Sequence, residues 1–101
     1  MKRILFLIFQ LVLANANGEN WPQFRGPNSE GCSSENGVPL NWSAKENIAW
    51  KTALPGESWS SPIVWQDTLF VTTATHEGKS CHVLALDRKT GKILWDQEVF
   101  Q

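Results

Sequence analysis

Side chains that could act as nucleophiles or bind a metal are few in this chain of 101 residues. It has two histidines and two cysteines, and no other histidine or cysteine lies at metal-ligand spacing from His76 or His82. We therefore interpret both histidines as turn and strand residues. The sequence shows no Ser/His/Asp set, no haem-attachment motif and no adjacent cysteine pair. It thus predicts no catalytic, cofactor-binding or metal-binding residue.

Three other patterns admit a functional interpretation beside a simpler structural one. The Gly78-Lys79-Ser80 segment resembles the end of a phosphate-binding loop, but it lacks the first glycine of that motif and lies in a predicted hairpin. Asp96 and Glu98 alternate along a predicted strand, which is typical of a solvated face. Trp59 and Trp65 could stack on a sugar, whereas packing against a neighbouring sheet is the simpler role for both.

The stretch ALDRKTGKILWD, residues 85–96, has residue types that a tight hairpin requires. Asp87 can accept hydrogen bonds from backbone N–H groups two or three residues further on, and Thr90 can add a hydroxyl bond. Gly91 supplies the positive φ that closes such a loop. Trp95 follows four residues later, with a large ring to pack and one N–H to satisfy. The pattern predicts a braced loop followed by a packing tryptophan, which is structural chemistry and not catalysis.

Short β-forming segments joined by tight turns follow the first 47 residues. Their β-branched residues favour strands, and the absence of a helical period favours an all-β antiparallel meander. Residues 83–86 are apolar on both faces, so we expect this strand to be covered on both sides. The five predicted strands are residues 48–54, 61–65, 68–75, 81–86 and 93–100.

The N-terminus has the pattern of an export signal. Two basic residues, Lys2 and Arg3, precede an apolar run over residues 4–14, and Ala14 and Ala16 occupy the positions that a signal peptidase reads. The run is too short for a permanent membrane anchor. Residues 1–16 are therefore predicted to be a cleaved signal peptide, with Ala14 and Ala16 marking the cleavage site. The mature chain is expected in the periplasm or outside the cell.

An irregular arm is predicted between the signal and the strands. Residues 17–46 are rich in Asn, Gly, Ser and Pro and show no sustained period of 2 or 3.6. Three aromatic residues in this segment, Trp21, Phe24 and Trp42, are expected to attach the arm to a neighbouring surface.

The charge composition of the chain bears on which classes of binding partner it could have. The net charge is −1, and residues 17–101 alone carry seven basic and ten acidic side chains. Nothing in this balance argues for nucleic acid or an anionic membrane surface. Export would permit a disulfide between Cys32 and Cys81, but the sequence leaves open whether they pair.

An internal echo links the first predicted strand to the last. The segments NIAWKTAL (residues 47–54) and KILWDQEV (residues 92–99) each place an isoleucine two residues before a tryptophan. The two tryptophans, Trp50 and Trp95, are 45 residues apart. This spacing falls within the range of one four-stranded propeller blade.

These motifs give the chain a resemblance to a known family. The pattern Ala85-x-Asp87-x-x-Thr90-Gly91-x-x-x-Trp95 matches the tryptophan-docking motif of quinoprotein-type β-propellers. The segment WSSP at residues 59–62 resembles the start of a blade in such proteins, and WPQFRGPNSEG at residues 21–31 resembles their leader. The chain thus resembles PQQ-binding-like β-propeller repeat proteins. The resemblance implies that the tryptophan packs between blades and that the Asp–Thr–Gly loop braces it.

The resemblance also implies an incomplete ring. Residues 47–101 would be the start of a propeller, with a strand at residues 48–54 and a first blade at about residues 61–100. Closure needs about four to eight blades. We therefore expect the chain to be the N-terminal fragment of a longer protein, whose remaining blades are its first partners and other exported proteins its further ones.

Two classes of function follow from the resemblance. One is an exported, non-catalytic binding or assembly scaffold. The other is the N-terminal part of a quinoprotein dehydrogenase that uses PQQ and Ca²⁺ to oxidise alcohols or sugars. The enzyme would need oxygen ligands for a hard cation and an aromatic floor for the cofactor. No residue of this chain can be assigned to either role, so the scaffold is the favoured hypothesis.

Overall fold

The computed structural model describes residues 18–101, and its regular structure is one antiparallel sheet with strands in sequence order. The strands are β1 (Ile63–Trp65), β2 (Thr68–Thr75), β3 (Ser80–Asp87) and β4 (Ile93–Phe100). A single 3₁₀ turn, His76–Gly78, connects β2 to β3. The predicted all-β, four-stranded meander is confirmed. The predicted signal peptide, with Ala14 and Ala16, lies outside the described residues.

Strand pairing is most regular at the centre of the sheet. β2 and β3 pair over eight residues, from Thr68 opposite Asp87 to Thr75 opposite Ser80. β3 and β4 pair with two shifts of register, one between Cys81 and His82 and one between Ala85 and Leu86. Each shift removes regular ladder bonds locally, so side chains carry more of the contact there. Within residues 18–101, no helix is long and apolar enough to cross a membrane.

A small apolar core lies on one face of the sheet. Its buried residues are Val71, Leu84 and Leu86, of which Leu84 has no exposed surface. Ala85 is equally buried, while Val83 is half-buried. The prediction that this strand is covered on both sides is therefore correct for three of its four residues. The partly buried side chains around the core are Trp50, Leu54, Leu69 and Ile93.

Residues 48–54 do not form the predicted strand. They pair with no strand of the described chain and are held by side-chain contacts instead. Trp50 and Leu54 of this segment are partly buried against the core, whereas Ile48 is 48% exposed. Burial alone does not make a strand, however, since a strand also needs a neighbouring backbone with which to exchange hydrogen bonds. The correction is that this segment is extended cover for the sheet.

The arm joins the sheet at the outer edge of β1. Trp21 and Val64 exchange two backbone hydrogen bonds, with N···O distances of 2.7 and 2.8 Å. The side-chain oxygen of Asn20 accepts from the backbone N–H of Gln66 at 2.5 Å. Gly26 is buried because its backbone lies against the Trp21 ring, where a Cβ would collide with that ring.

The remaining arm residues make less contact with the sheet. Phe24 and Trp42 are 70% and 69% exposed. Trp21 is joined to the sheet by its backbone hydrogen bonds, while its ring lies against Gly26 of the arm itself. Cys32 is exposed and Cys81 is half-buried, and both carry free thiols.

Candidate functional site

The loop between β3 and β4 is braced by one carboxylate. The Oδ1 atom of Asp87 accepts from the backbone N–H groups of Lys89 and Thr90, at 2.9 and 2.8 Å, and from the Thr90 hydroxyl at 3.1 Å. The backbone N–H of Gly91 donates to the Asp87 carbonyl at 2.8 Å. Gly91 has a φ of 73°, in the left-handed region that favours glycine. These contacts give the loop a fixed shape.

A tryptophan from residues 48–54 docks on this loop. The indole N–H of Trp50 donates to the Arg88 carbonyl at 2.8 Å, and the Thr52 hydroxyl donates to the Gly91 carbonyl at 2.5 Å. The six-membered ring of Trp50 lies so close to Gly91 that a Cβ there would collide with it. The loop therefore provides a flat backbone platform and a hydrogen-bond acceptor for one indole. We call this arrangement the docking loop, comprising residues 87–91.

Arg88 connects the docking loop to two other parts of the chain. Its guanidinium donates to the backbone carbonyls of Gln66, at 3.0 Å, and Glu19, at 3.2 Å. Its backbone N–H donates to the Asp67 carbonyl at 2.9 Å. One side chain thereby fixes the loop against both the β1–β2 turn and the start of the arm.

The brace carries an electrostatic signature. The pKa of Asp87 lies below its ordinary value of 3.8, chiefly because the Thr90 backbone N–H donates to the ionised carboxylate. Burial acts in the opposite direction, while bonds from the Thr90 hydroxyl and the Lys89 backbone N–H lower the pKa further. The loop therefore favours the charged form of Asp87.

Acid is expected to weaken the brace. Because the folded-state pKa of Asp87 is depressed, its contribution to stability is present above pH 3.8 and is lost as pH falls below that value. Asp87→Asn should therefore lower the melting temperature at pH 7 and flatten its decline between pH 5 and about 3. Asp67→Asn, which changes a carboxylate of the β1–β2 turn, is the matched control. Equal acid profiles for the two variants would contradict the brace.

Trp95 packs elsewhere on the sheet, and its packing between blades stays a prediction. It lies on β4 opposite Ala85, and its ring contacts Phe70 at a centroid distance of 6.0 Å and an angle of 53°. Almost half of its surface, 47%, is exposed. The structure therefore places Asp87, Thr90 and Gly91 together in one loop with a tryptophan docked on it. That tryptophan is Trp50, because residues 48–54 cross the loop while β4 leads away from it.

Two residues of the docking site, Trp50 and Arg88, were not among the predicted site residues. Trp50 could have been found from the echo, since it occupies the same place after an isoleucine as Trp95 does, 45 residues earlier. Arg88 had no sequence signal, because its contacts are to backbone carbonyls that any residue supplies.

The structure also brings together a serine, a histidine and an aspartate, so the statement that the sequence contains no such set is wrong. Ser80 and His82 lie on β3 and Asp96 lies on β4, and hydrogen bonds connect all three. Two of them are only two residues apart, and the third depends on a shifted strand register. Spacing along the chain therefore gave no signal.

The outer edge of β4 carries exposed apolar residues and pairs with no other strand of the described chain. Leu94, Val99 and Phe100 are all exposed along it, next to the half-exposed Trp95. Trp59, considered above as a sugar platform, is 98% exposed and lines a surface pocket together with Val99 and Phe100. These residues offer contact area to a partner.

The described residues contain no cluster of three or more His, Cys, Asp and Glu side chains arranged to bind a metal ion.

Comparisons of the chain with protein-family models, with curated proteins and with solved structures give no match.

Proposed function

We propose that the chain is part of an exported β-propeller repeat protein that acts as a binding and assembly scaffold. The observation that carries this proposal is the docking of Trp50 on residues 87–91. One tryptophan is already seated on a loop, and Trp95 follows the same Ile-x-Trp pattern with 47% of its surface exposed. Since the chain's own Trp50 already fills residues 87–91, Trp95 is the tryptophan available to a neighbouring unit.

The energetics support a structural role for the seated indole. It combines ring packing against buried Gly91 with one N–H···O bond of 2.8 Å, so its apolar and polar demands are both met. Trp95 has the packing contact with Phe70, while part of its ring stays in water. A second docking loop, on a sister blade, would remove this remaining apolar surface from water.

The open edge of β4 supplies further area for a partner. Exposed apolar residues beside unpaired backbone groups are the surface on which proteins add a strand or a neighbouring sheet. We therefore propose that other exported proteins bind to this edge. No step of catalysis is assigned to the described residues.

Photocrosslinking in the exporting cell tests the proposal. A photoreactive residue at Leu94, adjacent to Trp95, should give an adduct with a peptide that carries an A-x-D-x-x-T-G loop, from this or another exported chain. The adduct should fall at least fivefold in Trp95→Ala. The control places the photoreactive residue at Val38, which is exposed in the arm.

Equal crosslinking from both positions, or none from Leu94, would argue against the scaffold. The dehydrogenase alternative has its own readout. In this assay, PQQ and Ca²⁺ are added to the protein, and reduction of a dye is measured with alcohols or sugars as substrates. Dye reduction would favour the dehydrogenase over the scaffold, since a scaffold transfers no electrons.

A further inference from the structure

Four polar side chains form a hydrogen-bonded row at the end of the sheet opposite the docking loop. We call it the polar row, and it consists of Asp96, His82, Ser80 and Glu98 in that order. The Nδ1 atom of His82 lies 2.7 Å from the Asp96 carboxylate, and Nε2 lies 3.0 Å from the Ser80 hydroxyl oxygen. The Ser80 hydroxyl also donates to the Glu98 carboxylate. Two carboxylates therefore terminate a row that has a histidine and a serine at its centre.

The first three members have the distances of a nucleophilic triad, but the protons are arranged differently. A triad serine gives its hydroxyl proton to the histidine, which must be neutral at that nitrogen. Ser80 has one hydroxyl proton, and that proton points to Glu98. The pKa of Glu98 is lowered, chiefly by this bond and then by one from Gln101, so Glu98 is an ionised acceptor. The Ser80 oxygen can then only accept from His82.

Both ring nitrogens of His82 must consequently donate. Nδ1 faces a carboxylate oxygen of Asp96, and Nε2 faces the oxygen of Ser80, whose proton is already used. A neutral imidazole has one N–H, whereas the imidazolium has two. All three bonds of the polar row therefore exist together only when the ring holds its second proton.

Beside the polar row, Glu57 and Cys81 are the other titratable residues of a surface pocket that His82 lines. On β2, the residue opposite His82 is Thr73, a neutral side chain whose buried hydroxyl has no partner within residues 18–101. On β4, the facing groups are the two carboxylates of the row. Beyond Glu98, a cavity of about 630 Å³ is lined by charged or titratable residues of the 3₁₀ turn and its end, namely His76, Glu77 and Lys79.

We propose that the polar row is a proton-operated lock that fastens β4 to β3. The register shift between Cys81 and His82 interrupts the ladder at this point, and the side-chain bonds of the row join the two strands next to it. β4 has β3 as its one neighbour among the described strands, so no second partner compensates when these bonds are lost. Protonation closes the row, and loss of the proton from His82 opens one of its bonds.

The direction of the pH effect follows from linkage. The three bonds of the polar row coexist only with the protonated ring, so we expect the sheet to be more stable at pH 5.5 than at pH 8.0. Glu98 does not reverse this trend, because its lowered pKa keeps it ionised throughout that range.

Thermal unfolding of the full chain, followed by tryptophan fluorescence at pH 5.5 and 8.0, tests the lock. We expect the wild-type melting temperature to be roughly 4 °C higher at pH 5.5. His82→Gln should abolish this difference, and His76→Gln, which changes the other histidine near Glu98, should preserve it. Nitrogen-detected NMR of His82 at pH 5.5 should show protons on both ring nitrogens.

Three results would overturn the lock. The first is an equal pH difference in the wild type and His82→Gln, and the second is a single ring proton on His82 at pH 5.5. The third is covalent labelling of Ser80 by a fluorophosphonate probe at pH 8.0 that depends on His82, because this would identify Ser80 as a nucleophile instead.

Discussion

Gly91→Ala is expected to destabilise the sheet by about 3 kcal/mol, measured by urea unfolding with fluorescence detection. Two costs combine in this estimate. A Cβ at a φ of 73° strains the backbone, and the same atom collides with the Trp50 ring and the Thr52 hydroxyl. Because the carbonyls of Arg88 and Gly91 accept from those two side chains, the collision also displaces hydrogen bonds.

Gly78→Ala is the matched control for this substitution. Gly78 has a φ of 84°, but a Cβ there would meet no atom within 4 Å. Only the backbone strain remains, so the expected cost is about 1 kcal/mol. Equal losses at the two glycines would mean that no ring occupies the docking loop, and the proposed function would lose its main support.

Trp50→Ala is expected to cost about 3 kcal/mol by the same measurement, since it removes a partly buried ring and its hydrogen bond. Trp50→Phe keeps most of the packing but withdraws the donor from the Arg88 carbonyl, at about 1 kcal/mol. Trp42→Ala removes an indole that is 69% exposed and should change stability by about 0.5 kcal/mol or less. A Trp50→Ala loss as small as that of Trp42→Ala would contradict the docking.

The two sites should also be coupled. In the double variant Trp50→Ala/Gly91→Ala, the ring that meets the new methyl group is gone, so only backbone strain remains at residue 91. The double variant should therefore be more stable than the sum of the single losses predicts, by 1 kcal/mol or more. If the stability losses of the two single variants simply add in the double variant, the Trp50 ring does not contact residue 91.

The strands of the meander were predictable because their signals are local. The β-branched run of β2 and the span of β4 were predicted with the observed ends, and β3 differs by one residue at each end. Strand β1 is two residues shorter than predicted, since it begins at Ile63, after Pro62. Turn chemistry at Asp87 and Gly91 is equally local, so the shape of the docking loop could be anticipated.

Contacts made through space could not be predicted in the same way. Residues 48–54 have the composition of a strand, but the described chain offers them no backbone to pair with. The docking loop is filled by Trp50, which lies almost 40 residues earlier in the chain, and no local pattern connects that segment to residue 87. The polar row depends on a register shift at Cys81, and a shift of one residue turns side chains to the opposite face.

The bridge between Trp21 and Val64 gives the sheet two unlike sides. Val64 is the central residue of a three-residue strand, and both of its outward backbone groups are already bonded to Trp21. The β1 side is therefore closed to any incoming strand, whereas the β4 side retains its hydrogen-bonding capacity. A further strand can therefore be added to this sheet beside β4 but not beside Val64.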